Sequence, residues 1–159
     1  EIKVFLHPYL KQILAGEFTG DPDDERGDLE KKIVQVIGEY KKESERKKLN
    51  DLFYMYTHGK AVHGLNDVLR ELAMGNVQEL MITSDFHAEG FVCPEGHIID
   101  PSPEAGGKCP YCRNNLRKTF YLEDELSEEV LSKNGNVSYV FNFPEVIGYN
   151  KIGAFLRHK

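Results

Sequence analysis

All three cysteines of the chain lie in one short stretch, CPEGHIIDPSPEAGGKCPYC, residues 93–112. Cys109 and Cys112 form a Cys-x-x-Cys pair, and Cys93 is followed four positions later by His97. Thiolate and imidazole ligands suit zinc, and each pair can hold one ion from a tight turn. The intervening loop is long enough to bring the pairs together. The stretch therefore predicts a structural zinc site (Zn2+) with four ligands: Cys93, His97, Cys109 and Cys112.

The residue types alone leave other uses of this stretch open. An odd number of cysteines argues against a disulfide framework and favours a reducing, cytoplasmic compartment. A redox Cys-x-x-Cys favours a βαβ setting, which this Gly- and Pro-rich loop lacks. A nucleophilic Cys93 would need exposure and a paired histidine. His87 and Asp100 compete with His97 as the fourth ligand, and a site with four protein ligands would be structural because no corner is left for water.

Asp85 and His87 are the other candidates for chemistry. They follow a predicted core strand, where the active-site residues of α/β sheets often lie. Together with an open zinc they would make a metal hydrolase, which requires a water or substrate at one corner of the metal. Polar residues at the exit of a strand are the simpler interpretation. The stretch GKAVHG lacks the spacing of a phosphate-binding loop.

Composition and charge exclude several classes of protein. The chain has 159 residues, 40% of them apolar, which fits one domain or one domain with a small appendage. A net charge of −6 does not favour strong binding to free nucleic acid, although it allows a local basic patch. No apolar stretch approaches the ~20 residues of a membrane helix. The chain opens without Met and without a signal-peptide layout, so we expect a piece of a longer protein.

The spacing of apolar residues predicts the elements that position these groups. We expect a short helix around Leu10–Leu14, and then a long helix from an N-cap at Asp28 to about Tyr56, with the charged run KKESERKK exposed to solvent. The aromatic residues of this helix are expected in the core: Phe53, Tyr54 and Tyr56. The stretch GKAVHGLNDVLRELAMGNVQELMITSDF predicts strand, helix and strand, with the helix starting at Asn66 or Asp67 and Gly75 as its C-cap.

After the cysteine segment the pattern predicts strand, helix, strand and strand. These elements correspond to KTFYL, EDELSEEVLSKNG, VSYVFNF and KIGAFLRHK. The helix is expected to point Leu126, Val130 and Leu131 inward and to stop at Gly135. The order of elements predicts an α/β domain of two or three layers that is interrupted by the cysteine segment.

Two of these stretches resemble the third domain of archaeo-eukaryotic class I peptide chain release factors. The strand, Gly-containing helix and strand of that domain match Gly64, Leu65, Val68, Leu72, Gly75, Val77, Leu80, Ile82 and Ser84. Its final strands match Ile152, Gly153, Ala154, Leu156 and Arg157, although Lys151 stands where Gly is usual. The opening FLHPYLKQILAGEF is similar to the end of the middle domain in bacterial relatives. Many members carry a zinc-ribbon-like insert, and here His97 must replace the usual second Cys of CPEGH.

The resemblance implies an α/β sandwich with a mixed central sheet and a small zinc-ribbon-like insert. It divides the chain into 1–25, the tail of a middle domain with a linker, and 26–159, the third domain, with the insert at 88–117. It implies a docking role in translation termination, in contact with a translational GTPase and the ribosome. The family hydrolyses peptidyl-tRNA with a Gly-Gly-Gln loop, whereas this chain has only Gly106-Gly107-Lys108, so no catalysis is expected. Pelota-like ribosome rescue factors and kink-turn RNA-binding modules share the same patterns and remain alternatives.

Overall fold

The computed structural model describes residues 6–8, 10, 14–21, 25–99, 107–141 and 151–158. Asp100 and most of the short helix predicted at Leu10–Leu14 lie outside these ranges. The chain divides into two compact units, Glu1–Lys47 and Lys48–Lys159. The elements in chain order are α1 (Arg26–Thr57), β1 (Ala61–His63), α2 (Leu65–Ala73), β2 (Val77–Thr83), β3 (Gly90–Val92), β4 (Ile98–Ile99), β5 (Arg117–Thr119), α3 (Leu122–Ser132), β6 (Asn136–Val140) and β7 (Ile152–Leu156).

The long predicted helix is confirmed as α1, but its aromatic residues are not in the core. Phe53, Tyr54 and Tyr56 are 55%, 57% and 44% exposed, so that prediction was wrong. Leu52 is buried, and Leu49 and Met55 pack beside it. The stripe of α1 that contacts the sheet therefore has only one residue in each turn of the helix. Each neighbouring position is rotated by about 100° around the helix and faces away. The N-cap at Asp28 was also wrong, because α1 begins at Arg26 and Asp28 lies in its first turn.

Four strands form a mixed sheet in the order β1-β7-β2-β6. β7 pairs antiparallel with both β1 and β2, and β2 pairs parallel with β6. Val62 and Leu80 both lie opposite Ala154, which fixes the register of the three strands. Parallel pairing of β2 with β6 requires a long crossover, and the cysteine segment and α3 lie within it.

Both faces of the four-stranded sheet are buried. The larger core cluster lies between the sheet and α2 and α3, and it includes Leu72, Leu80, Ile82, Leu126 and Ile152. The smaller cluster, with Leu52, Ala61, Met81 and Val140, holds the C-terminal part of α1 on the other face. From Leu80 to Ile82 successive β2 residues alternate between the two clusters, as a strand requires, whereas Val77 precedes a register shift in the pairing with β7. Leu131 is 57% exposed, contrary to the prediction, because it follows the inward Val130 and points off the buried face of α3.

Two glycines explain parts of the sequence pattern. Gly75 has a φ of 69° just after α2, so the predicted left-handed C-cap is confirmed. α2 begins at Leu65, one or two residues earlier than expected, with Gly64 preceding it. Gly153 leaves no room for a side chain, because an added Cβ would lie 2.8 Å from Leu52 Cδ2. Glycine at this position lets α1 approach the central strand.

The cysteine segment builds a second, smaller sheet in the order β4-β3-β5, with antiparallel pairing throughout. Ile98 packs against the larger core cluster, so the small sheet packs against the main domain. The predicted strand KTFYL is shorter than expected, since β5 ends at Thr119 and leaves Phe120 and Tyr121 exposed. Within the described ranges no helix has the length and apolarity to cross a membrane.

Candidate metal centre

The first half of the site is the turn between β3 and β4. Cys93 directly follows β3, and its backbone N–H donates to His97 O at 3.1 Å. Gly96 N–H donates back to Cys93 O at 3.0 Å, and Gly96 has a φ of 78°. A side chain would be strained in this backbone conformation, which glycine adopts freely. The tight turn therefore brings Cys93 and His97 to the same side of the small sheet.

The second half is a hairpin formed by residues 107–116. Cys109 N–H donates to Asn114 O at 2.8 Å, and Leu116 N–H donates to Gly107 O at 3.1 Å. The tip closes where Arg113 N–H donates to Cys109 O at 2.9 Å, with Arg113 at a left-handed φ of 61°. This closure curls the chain back so that Cys109 and Cys112 both face the first turn.

The two halves bring together one atom each from Cys93, His97, Cys109 and Cys112, all within 4.8 Å of one another. His97 Nδ1 lies 3.2 Å from Cys93 Sγ, and the sulfur atoms of Cys93 and Cys112 are 3.6 Å apart. Ligands about 2.3 Å from a tetrahedral zinc place two sulfurs about 3.8 Å apart. The donor set and its spacing therefore fit zinc, and four protein ligands would complete its coordination.

The thiols of the hairpin have different affinities for protons. Desolvation raises the pKa of Cys109, but hydrogen bonds from the backbone of Cys112 and Tyr111, and then from the other two thiols, outweigh it and leave this pKa below its ordinary value. The backbone N–H of Asn114 lowers the pKa of Cys112, yet desolvation and the neighbouring thiols leave it above its ordinary value. Both shifts arise from the hydrogen bonds that the grouped thiols exchange with one another and with the backbone of the hairpin, together with desolvation.

The structure also decides several of the alternatives. All three cysteines are free thiols, so there is no disulfide framework. Cys93 is only 4% exposed, which does not suit a nucleophile that must meet substrate. His87 lies outside the cluster, with Nδ1 3.0 Å from Glu123 Oε1. Of the two competitors for the fourth position, His87 is thereby excluded, and Asp100 lies outside the described residues.

Asp85 does not join a second site. Its carboxylate accepts a hydrogen bond from Lys151 Nζ at 2.6 Å, and this contact is the main cause that holds the pKa of Asp85 below its ordinary value. Lys151 is the residue that replaces the usual glycine, and it adopts a φ of 63°. Asp85 is thus a carboxylate paired with an ammonium group, which leaves it poorly suited to act as a base beside an open metal.

One feature of the centre was missed in the sequence. Tyr111, between the two hairpin cysteines, is 65% exposed and lies with its ring centroid 5.2 Å from that of His97. An aromatic residue inside a Cys-x-x-Cys pair is a sequence signal for an exposed ring. When both cysteines hold a metal, the residues between them cannot turn their side chains inward. Tyr111, Ile98 and His97 line one wall of a groove of about 510 Å³, and Leu69 and Met74 at the α2 side line the other.

Two solved structures share the fold. The C-terminal domain of a peptide chain release factor from Methanosarcina mazei matches with a TM-score of 0.59 and 23% identity, over 87% of this chain and 98% of that one. The Pelota protein of Archaeoglobus fulgidus matches with a TM-score of 0.58 and 16% identity, over 91% of this chain and 39% of its own length. No protein-family model matches the chain. The expected fold class, an α/β sandwich with a mixed central sheet, is therefore confirmed.

Proposed function

We propose that this chain is the C-terminal docking domain of a peptide chain release factor-like protein that works in translation termination. It would act in the cytoplasm, in contact with a translational GTPase and the ribosome. The observation that carries the proposal is the match in fold over 98% of a solved release factor C-terminal domain. The sequence motifs at 64–84 and 152–157, which resemble the same domain, support it independently.

In this proposal the metal centre is structural. Zinc would be held by Cys93, His97, Cys109 and Cys112, and it would supply crosslinking of the two turns. The insert spans 88–117 of a third domain at 26–159, and residues 1–25 belong to a preceding domain and linker. The sequence contains no Gly-Gly-Gln, so the chain itself would not hydrolyse peptidyl-tRNA.

Ribosome rescue of the Pelota type is the second candidate, because the Pelota structure matches almost equally well. The two functions differ in the state of the ribosome that is bound. Release factors act on ribosomes with a stop codon in the decoding site, whereas rescue factors act on stalled ribosomes. Binding of the full-length protein that carries this domain to ribosomes prepared in each state would therefore separate them.

The test is capture of partners by the tagged chain from cell lysate, with and without nuclease, followed by identification of the captured proteins. We expect a translational GTPase that stays bound after nuclease treatment, and no hydrolysis of peptidyl-tRNA or nucleotides by the same material. Two variants separate candidate docking faces: Met74→Glu at the end of α2, and Lys41→Glu in the charged run of α1. Both residues are exposed.

Two results would contradict the proposal. Turnover of peptidyl-tRNA that a point change within the chain abolishes would show a catalytic role. Capture of RNA alone, lost with nuclease, would favour a kink-turn RNA-binding module instead.

A further inference from the structure

Residues 107–118, GKCPYCRNNLRK, form one segment made of the hairpin at 107–116 and the first two residues of β5. It carries Lys108, Arg113, Arg117 and Lys118 and no acidic residue, in a protein whose net charge is −6. A zinc ion with three thiolates would leave a small net negative charge, which four cations outnumber. The segment is therefore a basic patch on an acidic molecule.

Two of these four cations pair with carboxylates of residues that the structure describes. Arg117 pairs with Glu125 at 2.8 Å, and Lys118 pairs with Glu89 at 2.6 Å. Lys108 and Arg113 are exposed, and neither forms an ion pair with any residue that the structure describes. Lys108 lies opposite Asn115 on the hairpin, and Arg113 lies at its tip. Neither side chain would have to give up an ion pair with a described residue in order to approach an anion.

The exposed ring of Tyr111 lies on the same tip, beside the groove that the hairpin shares with α2. At about 510 Å³ the groove lies within the size range of small-ligand sites. Asn66 lines its edge with an amide that can donate and accept hydrogen bonds. An adjoining pocket is lined by Glu95, Glu129 and Lys133, and Lys133 pairs with Glu129 at 2.5 Å, so one carboxylate more than the ammonium group lies there. Arg70 also lines the groove, where it pairs with Asp67 at 3.0 Å.

We propose that this hairpin binds single-stranded RNA, with one unpaired base stacked on Tyr111 and phosphates held by Lys108 and Arg113. The inference rests on the proposed function, since a domain that docks on the ribosome works within reach of the RNA there. A single strand fits better than a duplex, because a stacked aromatic ring needs a base that is free of its neighbours. The contact adds local affinity on the ribosome, and the acidic remainder of the chain keeps binding to bulk RNA weak.

The test measures the fluorescence anisotropy of labelled decauridine with the metal-loaded 159-residue chain at about 50 mM salt, where electrostatic binding is strong. Tyr111→Ala should weaken binding about tenfold, the usual loss for one stacked base, and Tyr111→Phe should retain it. Lys108→Glu with Arg113→Glu should lower the slope of log affinity against log salt by about 1.4, since each phosphate contact on a single strand contributes about 0.7. A duplex of equal length should bind more weakly.

The matched control is Lys41→Glu with Lys42→Glu, which makes the same change in net charge in the exposed run of α1. Equal loss of affinity in this control and in the hairpin variant would overturn the proposal, as would no effect of Tyr111→Ala. Metal content of each variant shows whether the hairpin is intact. Amide chemical shifts of the unaltered chain give a measurement that needs no variant, because decauridine should perturb residues 107–118 and not 40–47.

The result is separable from the fate of the proposed function. GTPase capture that survives nuclease does not depend on this hairpin contact, and decauridine binding does not depend on any GTPase. Tyr111-dependent binding of ribosomes without any decauridine binding would indicate a protein partner at the hairpin and would contradict the RNA proposal.

Discussion

Lys48 joins the long helix to two strands through a small polar network. Its ammonium group donates to Glu79 Oε1 on β2 and to Ser138 Oγ on β6, each at 2.7 Å. The Ser138 hydroxyl donates to the same carboxylate oxygen. Desolvation raises the pKa of Glu79, but the hydrogen bonds from Lys48 and Ser138 and the charge of Lys48 outweigh it and leave this pKa below its ordinary value of 4.5.

This network predicts a dependence of stability on pH. Because the pKa of Glu79 is lower in the folded chain, its contribution to the free energy of unfolding is present above about pH 4.5 and is lost as the pH falls through the lowered value. Glu79→Gln should remove about 1 kcal/mol at pH 7 and less at pH 3. The measurement is urea unfolding at several pH values, with Glu128→Gln, an exposed change on α3, as the control. An equal loss at both pH values would contradict the role of the carboxylate.

At this scale the sequence allows prediction of short-range pairs only. Cys93 and His97, and Cys109 and Cys112, are each held by a single turn, so their spacing indicates a shared ligand site. Lys48 and Glu79 are 31 residues apart, and Glu79 and Ser138 are 59 apart. Nothing in the local pattern of either residue indicates its partner, because the pairing depends on the order of strands in the sheet.

The small sheet β4-β3-β5 has few buried residues of its own, so the metal should supply most of its order. We expect about one equivalent of zinc in protein purified without chelator, because the four side chains form one complete set of zinc ligands. Cys109→Ser should lose that metal and the order of residues 90–119, while most of the far-UV helical signal remains because α1, α2 and α3 lie outside the insert. Lys108→Ser, next to the ligand, is the control and should keep its metal.

Two outcomes would contradict this expectation. Protein without metal whose thiols titrate freely would show that the four residues are not a zinc site. Loss of the whole helical signal in Cys109→Ser would show that the insert is part of the main core, with Ile98 as more than a local contact.

The elements themselves were predictable, but which of their faces are buried was less so. Helical spacing over 28–56 correctly indicated α1, because the pattern is long. It did not reveal that only a narrow stripe around Leu52 meets the sheet, since Phe53, Tyr54 and Tyr56 are as apolar as the residues that are buried. The prediction for Leu131 was wrong for the same reason. Leu131 lies one position beyond the buried Val130, and the rotation of the helix between them turns its side chain away from the core.

For the whole molecule, the positions of the core clusters predict what can be removed. Among the residues that the structure describes, no member of either cluster precedes Leu49, and the unit Lys48–Lys159 is compact by itself. A chain that begins at Glu43, one helical turn earlier, should unfold cooperatively with a midpoint within about 5 °C of the full chain. Leu52→Ala in the same background should cost about 2–5 kcal/mol, as expected for a buried leucine. Thermal unfolding followed by circular dichroism tests both.

A large fall in the midpoint on truncation would favour the domain boundary at residue 26 over one near 48.

The resemblance in two motifs was sufficient to predict the fold class. It was not sufficient to predict the order of strands in the sheet, since strands distant in sequence are neighbours there. β1 and β2 flank β7, which follows β2 by more than sixty residues in the chain.

The central position of β7 has a consequence for the order in which a growing chain can fold. Ile152 and Ala154 are almost fully buried, and β1 and β2 have no direct pairing with each other. Until the chain has been synthesised through Leu156, the edges of β1 and β2 that pair with β7 have no partner. The apolar face that carries the larger core cluster also lacks the residues of β7. Local contacts such as those of α2 can form early, whereas the sheet must wait for this late, non-local pairing. A nascent chain of this sequence is therefore most exposed to aggregation just before its central strand arrives.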